Sequence, residues 1–452
     1  MKRTALLLAS TALAVLLASG AVWADTFRVT NTKDPGTGSL RAAINEANAR
    51  PAGDVITFAP GVRGDSGLKK ALPSLRGEVE IRGPGPSRLT VRRSAPEAFR
   101  VFSVAEGAAL TISGLKVPNG LAPSSGPQMT GGGIHVELGA LSVENCSFST
   151  NGTPADVGGA ISTEGGEVTV VGSTFSNNEA ALGGAVSNYL GGRTGDRVGG
   201  RLTVRNSAFS RNEGTGGGVI GSVFDGVLTV VNSDFSENAA TKNGATWISE
   251  DVESTVEGST LSRNTATKGG AIFSFGELAV RNSTFSVNVA RSYGGGLYKQ
   301  FGHDSPSLVS VEGSTFANNS AARAGGGLYH RGSSNFFLRM TIAAGNEAPE
   351  SPDVSGAFSS GGYNLIRDPS GTTGFGATDL TNTRAGLDPQ GLKDNGGPTK
   401  TIALVQSGPA VDVVQEGCPP PATDQRGVSR PRNGDGNGAA LYDIEAYELS
   451  AP

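Results

Sequence analysis

The chain has 452 residues, a formal net charge of −4, 17% charged and 6% aromatic residues, and 68 glycines. Glycine without a triplet period excludes collagen. Low charge with plentiful Val, Leu and Ala argues against disorder, and a mildly acidic balance argues against a general nucleic-acid binder.

The first predicted element is a secretory signal over residues 1–24. Lys2 and Arg3 open it, Ala5 to Leu17 form its apolar stretch, and Val22-Trp23-Ala24 precede Asp25. The stretch is short for a membrane span and carries signal-type flanks, with an uncleaved anchor as the alternative. No other uninterrupted apolar run reaches spanning length, so no transmembrane segment is expected after cleavage. Cleavage removes two positive charges and takes the net charge from −4 to −6.

Residues 25–78 read as an N-terminal cap. Phe27-Arg28-Val29-Thr30 alternates as a strand. Leu40, Ala43, Ile44 and Ala47 share one face of a short helix that Ser39 can cap. Asp54-Val55-Ile56-Thr57-Phe58 resumes the strand pattern. A helix here would cover the open end of a stack of β-coils. Early strands follow at Val79-Glu80-Ile81, Leu89-Thr90-Val91 and Leu110-Thr111-Ile112. Arg82, Arg88, Arg92, Arg93 and Arg100 cluster among them, read as solvated outer positions or as cations for an acidic glycan.

Residues 79–346 are dominated by a returning phrase. Asn206-Ser207-Ala208-Phe209-Ser210-Arg211-Asn212 leads to Gly217-Gly218-Val219, and Asn282-Ser283-Thr284-Phe285-Ser286-Val287-Asn288 leads to Gly295-Gly296-Leu297. The Phe-like position falls at Phe148, Phe175, Phe209, Phe235, Leu261, Phe285, Phe316 and Ile342, spaced by 24 to 34 residues. Asn follows three residues later in seven copies and slips by one, to Asn346, in the eighth. A fixed period of this size means a stacked solenoid. Three short runs, Leu-x-Val, Thr-Phe-Ser and Gly-Gly-Ala-Ile, predict three strands per coil and three parallel sheets, an all-β parallel solenoid. Phe, Leu and Val should stack as internal ladders. The Asn suits a left-handed turn or a bond to the Asn of the next coil. Cys146 takes the Ser slot of the phrase, a place for a small buried side chain. It and Cys418 are read as unpaired thiols, and no zinc spacing exists.

Two insertions break the rhythm, one from Tyr189 to Gly200 and one with Lys299-Gln300-Phe301-Gly302-His303-Asp304. Both follow a Gly-Gly strand and should emerge on one side of the stack, where solenoids often bind. They carry the exposed candidate residues: Arg193, Asp196 and Arg197 in the first, Lys299, His303 and Asp304 in the second. Asp225, Glu250, Asp251 and Glu253 are further acids on expected turns. The other reading of all of these is solvated loop charge.

Residues 347–452 form a C-terminal cap. Asn433-Gly434-Asp435-Gly436-Asn437-Gly438 suggests a calcium loop, but its twelfth position would be Ile444 rather than Glu, so it reads as a polar turn. No cofactor is expected, with calcium as the one alternative. His135, His303 and His330 lack ligand spacing, and His135 and His330 are expected outward on a sheet.

Three stretches resemble exported right-handed parallel β-helix proteins with a pectate-lyase-like fold. Val29-Thr30-Asn31-Thr32 with Asp34 and Gly38-Ser39-Leu40-Arg41-Ala42-Ala43-Ile44 is similar to a CSLREA-type N-terminal motif, with Gly38 at the family's cysteine and Ala42 at its acidic residue. The FxxN and GGA phrases resemble the repeats of chlamydial polymorphic outer-membrane proteins. Gly362-Tyr363-Asn364-Leu365, Asp394-Asn395-Gly396-Gly397-Pro398-Thr399, Pro409-Ala410-Val411-Asp412, Asp424-Gln425-Arg426-Gly427 and Asp443-Ile444-Glu445-Ala446-Tyr447-Glu448 resemble a choice-of-anchor Q domain. Tyr442 stands where that family commonly has a Cys. The resemblance implies a scaffold outside the cell, at the surface, in the periplasm or in the medium. The expectation is a monomeric, non-catalytic protein binding an extracellular glycan or cell-surface protein. The alternative is a polysaccharide lyase or glycosidase using Asp196, Asp304, Arg193 and His303.

Overall fold

The structure is a computed structural model. It describes residues 24–49, 52–123, 130–189, 199–222, 226–300, 307–332, 336–415 and 421–450. The expected signal segment, apart from Ala24, lies outside the described residues, as does Cys418.

The chain winds repeatedly through the same path. Glu167–Val171 belongs to a first sheet, Thr174–Ser176 to a second and Val186–Tyr189 to a third, after which Arg201–Arg205 returns to the first. Among the described residues the first two sheets hold thirteen strands each and the third eleven, and their named strands pair in parallel. The parallel β-solenoid expected from the repeat is therefore the fold. The sheets run without a break across residues 78–79 and 346–347, and the second sheet continues to Leu380–Thr381.

Alternation places the core. Leu202 and Val204 point inward in register with Leu228 and Val230, while Thr203 and Thr229 point out. The second sheet stacks Phe148, Phe175, Phe209 and Phe235 with ring centroids 4.7 to 4.9 Å apart. Phe285 and Phe316 continue the stack at 4.3 Å. Each buried ring contributes about 2 kcal/mol by leaving water.

The register corrects one reading. Phe316 pairs with Ala343, and Ile342 pairs with Thr315. The inward residue of that coil is therefore Ala343, and Asn346 keeps its three-residue offset without a slip. The ladder asparagines are also not the turn residues. Asn206, Asn232 and Asn282 at the start of the phrase take positive φ, as do Arg211, Glu237 and Val287 just before the ladder position. The ladder Asn instead bonds rung to rung. The Asn212 amide nitrogen donates to Asn238 Oδ1 at 3.0 Å, and the Asn212 backbone N–H reaches the same oxygen at 2.9 Å. The ladder runs from Asn151 to Asn346 and ends on the carboxylate of Asp353 at 2.8 Å. Burial pushes the Asp353 carboxyl up to about 6. A second column, Ser173 to Ser314, accepts backbone N–H bonds between rungs, and Cys146, 2% exposed, heads it.

A fourth sheet of six strands was not expected from the repeat. It includes Glu179–Leu182, Glu213–Gly216 and Val289–Tyr293, between the second and third sheets. Each excursion returns through a glycine bend. At Gly217 φ is +72° and an added Cβ would stand 2.5 Å from the Ile220 carbonyl oxygen. The cap helix, Leu40–Ala49, buries Leu40, Ala43, Ile44 and Ala47, with Ser39 Oγ accepting from the Ala42 N–H at 3.2 Å. Arg41 grips Asp34 through Nε and Nη2 at 2.6 and 3.0 Å, tying the helix to the turn before it.

The C-terminal region folds back along the outer face of the second sheet. Outward Ser147, Ser149 and Ser176 are half-exposed, whereas outward Thr260, Thr284 and Thr315 are buried beneath it. Farther along, outward Ile342, Ala344 and Leu365 pack with Leu404, Val411 and Ile444 in a second core.

Candidate functional site

Both large insertions connect the third sheet to the first, one leaving Val186–Tyr189 for Arg201–Arg205 and the other leaving Leu297–Gln300 for Val309–Glu312. They thus arise at one corner. Arg193, Asp196, Arg197, His303 and Asp304 lie outside the described residues, as does Asp225.

Lys299 is described, and it is not the exposed group expected. It is 3% exposed and in register with inward His330, and its Nζ donates to the carbonyls of Phe275 and Gly276 and to Ser307 Oγ. Burial pulls its ammonium down to about 8. Three bonds and the lack of solvent make it a stitch between two corner turns. Glu250 lies near enough to favour its charge, whereas Asp251 and Glu253 are exposed, Asp251 in a left-handed turn.

The two histidines also differ from expectation, because both are buried. His330 points to the corner between sheets, its Nδ1 2.8 Å from the Ala357 carbonyl oxygen and its ring against Phe336 and Phe358. His135 stands in the outward column of the third sheet, yet is covered. Its Nδ1 lies 3.0 Å from Thr130 Oγ1, and its Nε2 lies 3.9 Å from Glu164. Burial, reinforced by the charge of Arg100, pulls its imidazole down to about 3, so the ring is neutral.

That same column carries a stack no sequence reading singled out. Trp247, Phe273, Tyr298 and Tyr329 occupy successive rungs. Phe273 and Tyr298, then Tyr298 and Tyr329, stack at 5.1 Å. Tyr293 of the fourth sheet tilts over Tyr329 at 4.7 Å, and Lys268 Nζ lies 5.6 Å from the Tyr298 ring. The fourth sheet is a roof over these rings, so Phe273 and Tyr298 are buried on the outside of the coil. Alternating Gly-Leu-Tyr and Ala-Ile-Phe at the same register is the sequence signal for them.

The early arginines divide by partner. Arg82 binds Glu80, Arg92 binds Asp65, and Arg93 donates to the Asn119 and Ala95 carbonyls. Arg100 is buried, not solvated, with its cation disfavoured by burial.

The C-terminal blocks converge on one structure. Gln425 Nε2 donates to Thr260 Oγ1 at 2.9 Å, and its Oε1 accepts from Thr284 Oγ1 at 2.6 Å. Thr315 Oγ1 donates to Glu445 Oε2 at 2.7 Å, and Thr399 Oγ1 to the Gly258 carbonyl at 2.8 Å. Behind this clamp lie Asp424, Asp443, Glu445 and Glu448 around the buried Arg430. Burial pushes Asp443 up to about 7 and Glu448 to about 8, while Arg430 is pulled down, so desolvation outweighs the Arg430–Glu448 attraction at 3.5 Å. In the loop considered for calcium, Asn433 Oδ1 accepts from the Gly436 N–H and Asp435 Oδ1 from the Asn437 N–H. Among the described residues, no group of three or more His, Cys, Asp or Glu is placed to hold a metal ion. Among them, too, no helix is long and apolar enough to cross a membrane.

Residues 313–331 match the Chlamydia polymorphic membrane protein (Chlamydia_PMP) repeat. The match spans the strand Thr315–Ala317, the ladder residue Asn319, the Gly325 bend and the strand Leu328–Arg331, the part of a coil that carries the phrase. No curated protein matches the chain.

Proposed function

We propose that this chain is a non-catalytic interaction scaffold displayed outside the cell, presenting its solenoid wall to glycans or proteins. The observation that carries the reading is the repeat at residues 313–331, similar to that of polymorphic membrane proteins and set in an unbroken parallel solenoid. The secretory character of residues 1–24 supports export, and the first sheet supports display. Its outward column of Thr111, Ser142, Thr169, Thr203, Thr229 and Thr255 is a regular polar surface. Most of the buried polar groups named above bond to other rungs or to the clamp, a use suited to rigidity more than to turnover.

The test has two arms. Protease treatment of intact cells should remove the protein, and protection of the chain there would refute display. The purified protein, incubated with glycan arrays and with acidic and neutral polysaccharides with and without calcium, should bind without producing unsaturated or reducing ends. Appearance of such ends, lost in Asp196→Ala or Asp304→Ala, would replace the scaffold with a lyase or glycosidase.

A further inference from the structure

A cleft of about 450 Å³ opens where the returning C-terminal segment parts from the second sheet. Asn318, Ala344 and Gly345 supply the solenoid side, and Arg384, Leu387 and Ile402 the returning side. Arg367 follows Ile366, the partner of Ala343, and so stands outward in the column of Ala317 and Ala344. Small side chains below it and a guanidinium at its lip give the cleft a charged mouth and a plain floor.

Two cations line this space, Arg367 from the solenoid and Arg384 from the returning segment. Both are exposed, and neither guanidinium hydrogen-bonds or ion-pairs with another described residue. The acid in the lining, Asp388, is already engaged, with Lys393 Nζ 2.6 Å away. The unspent charge of the cleft is therefore positive. Gly345 keeps it open: an added Cβ would meet Asn318 Oδ1 at 3.0 Å and lie 3.9 Å from Arg367 Nη1.

Guanidinium groups select planar oxyanions, which they hold by paired N–H bonds. The volume is that of a small-molecule site and suits one or two sugar rings better than an extended chain. The apolar floor of Ala344, Ala385 and Ile402 offers a surface for the C–H face of a ring, and the Asn318 amide can meet a hydroxyl. We propose that this cleft binds an acidic saccharide unit, its carboxylate held between Arg367 and Arg384. The inference deepens the scaffold reading and rests on it.

The probe is digalacturonic acid, titrated calorimetrically into the full chain at low salt. Its dimethyl ester keeps the rings and removes the charge, and sodium sulfate supplies an anion without a sugar. Saturable binding of the acid is expected, with little from the ester or sulfate. Arg367→Ala and Arg384→Ala should each weaken it by about tenfold or more, the range for a lost charged hydrogen bond. Both side chains are exposed, so far-ultraviolet circular dichroism should stay unchanged. Equal binding by the double variant, or by the ester, would overturn the proposal. Sulfate binding as tightly as the acid would show an anion site without saccharide selectivity and would overturn it too. No binding by the parent chain would also refute it, and if glycan arrays still showed binding, the scaffold reading would survive alone.

Discussion

The Asn ladder makes a sharp claim that a single substitution, Asn238→Ala, can test. Asn238 is 1% exposed. Its Oδ1 accepts from the Asn212 backbone N–H at 2.9 Å and from Asn212 Nδ2 at 3.0 Å. Its Nδ2 donates to Asn264 Oδ1 and to the Phe209 carbonyl, both at 3.0 Å. Alanine removes all four bonds. Asn264 Oδ1 keeps the Asn238 backbone N–H at 3.1 Å, but Asn212 N–H and one Asn212 amide hydrogen are stranded, while the Phe209 carbonyl, set against the Ser236 strand by the parallel register, loses its second donor. A buried orphan costs about 1–3 kcal/mol, so two, with the lost second bond to Phe209, cost about 4 kcal/mol. Solenoid stability is a sum over neighbouring coils, so the loss should be felt locally first. Native-state hydrogen exchange is the assay, and Asn212 and Asn238 amides should exchange faster by on the order of several hundredfold. Thr229→Ala, on the outward polar column, is the control, expected within about 0.5 kcal/mol of the parent. A cost below about 1 kcal/mol for Asn238→Ala, or an equal effect from Thr229→Ala, would refute the reasoning.

Two further outcomes follow from burial. Burial pushes the Cys146 thiol up to about 11, so in a Cys418→Ser background it should resist a thiol reagent at pH 8 until urea unfolds the coils. Cys146→Ser should leave stability within about 1 kcal/mol, because serine extends a column already built of serines, and rapid native labelling would contradict this placement. In the clamp, Asp424, Asp443, Glu445 and Glu448 face Arg430, Arg426 pairs with Asp424, Asp412 lies beside Asp443, and burial raises Asp443 and Glu448 to about 7 and 8. A carboxyl raised in the folded state contributes stability that is full below its unfolded value near 4 and is lost as pH rises through its folded value. Proteolysis within residues 384–450 should therefore accelerate between pH 5 and pH 9, and Glu448→Gln should flatten the trend. A flat profile in the parent chain would count against the buried clamp.

The coil was legible because its inward residues are few in kind. Phe175, Phe209 and Phe235 mark one corner of the core, and the Asn three residues later marks the ladder, since each rung needs the same donor and acceptor. The cap helix was legible for the same reason, with Leu40, Ala43, Ile44 and Ala47 alone facing the core. The fourth sheet was hidden because Glu179–Leu182, Glu213–Gly216 and Thr265–Lys268 share no alternation and pack on the outside of the coil. His135 was placed on the correct face, but its cover is tertiary and leaves no local trace. Ile342 looked like a core residue because it is one, of the second core rather than the first. The C-terminal blocks resembled a known domain while their task, holding Thr260, Thr284 and Thr315, involves partners more than 100 residues away.

The most direct test of the solenoid is a set of spin-label distances along the outward column of the first sheet. In a chain with Cys146→Ser and Cys418→Ser, pairs of labels join Thr255 to Thr203, Thr169 and Thr111, which lie two, three and five rungs away by register. Rungs about 4.8 Å apart predict separations near 10, 14 and 24 Å, broadened by the label arms. The result expected is distance growing with the number of rungs and ignoring the unequal residue spacings. Separations that failed to grow in that order, or that placed Thr111 as near to Thr255 as Thr203, would contradict the stacked parallel wall.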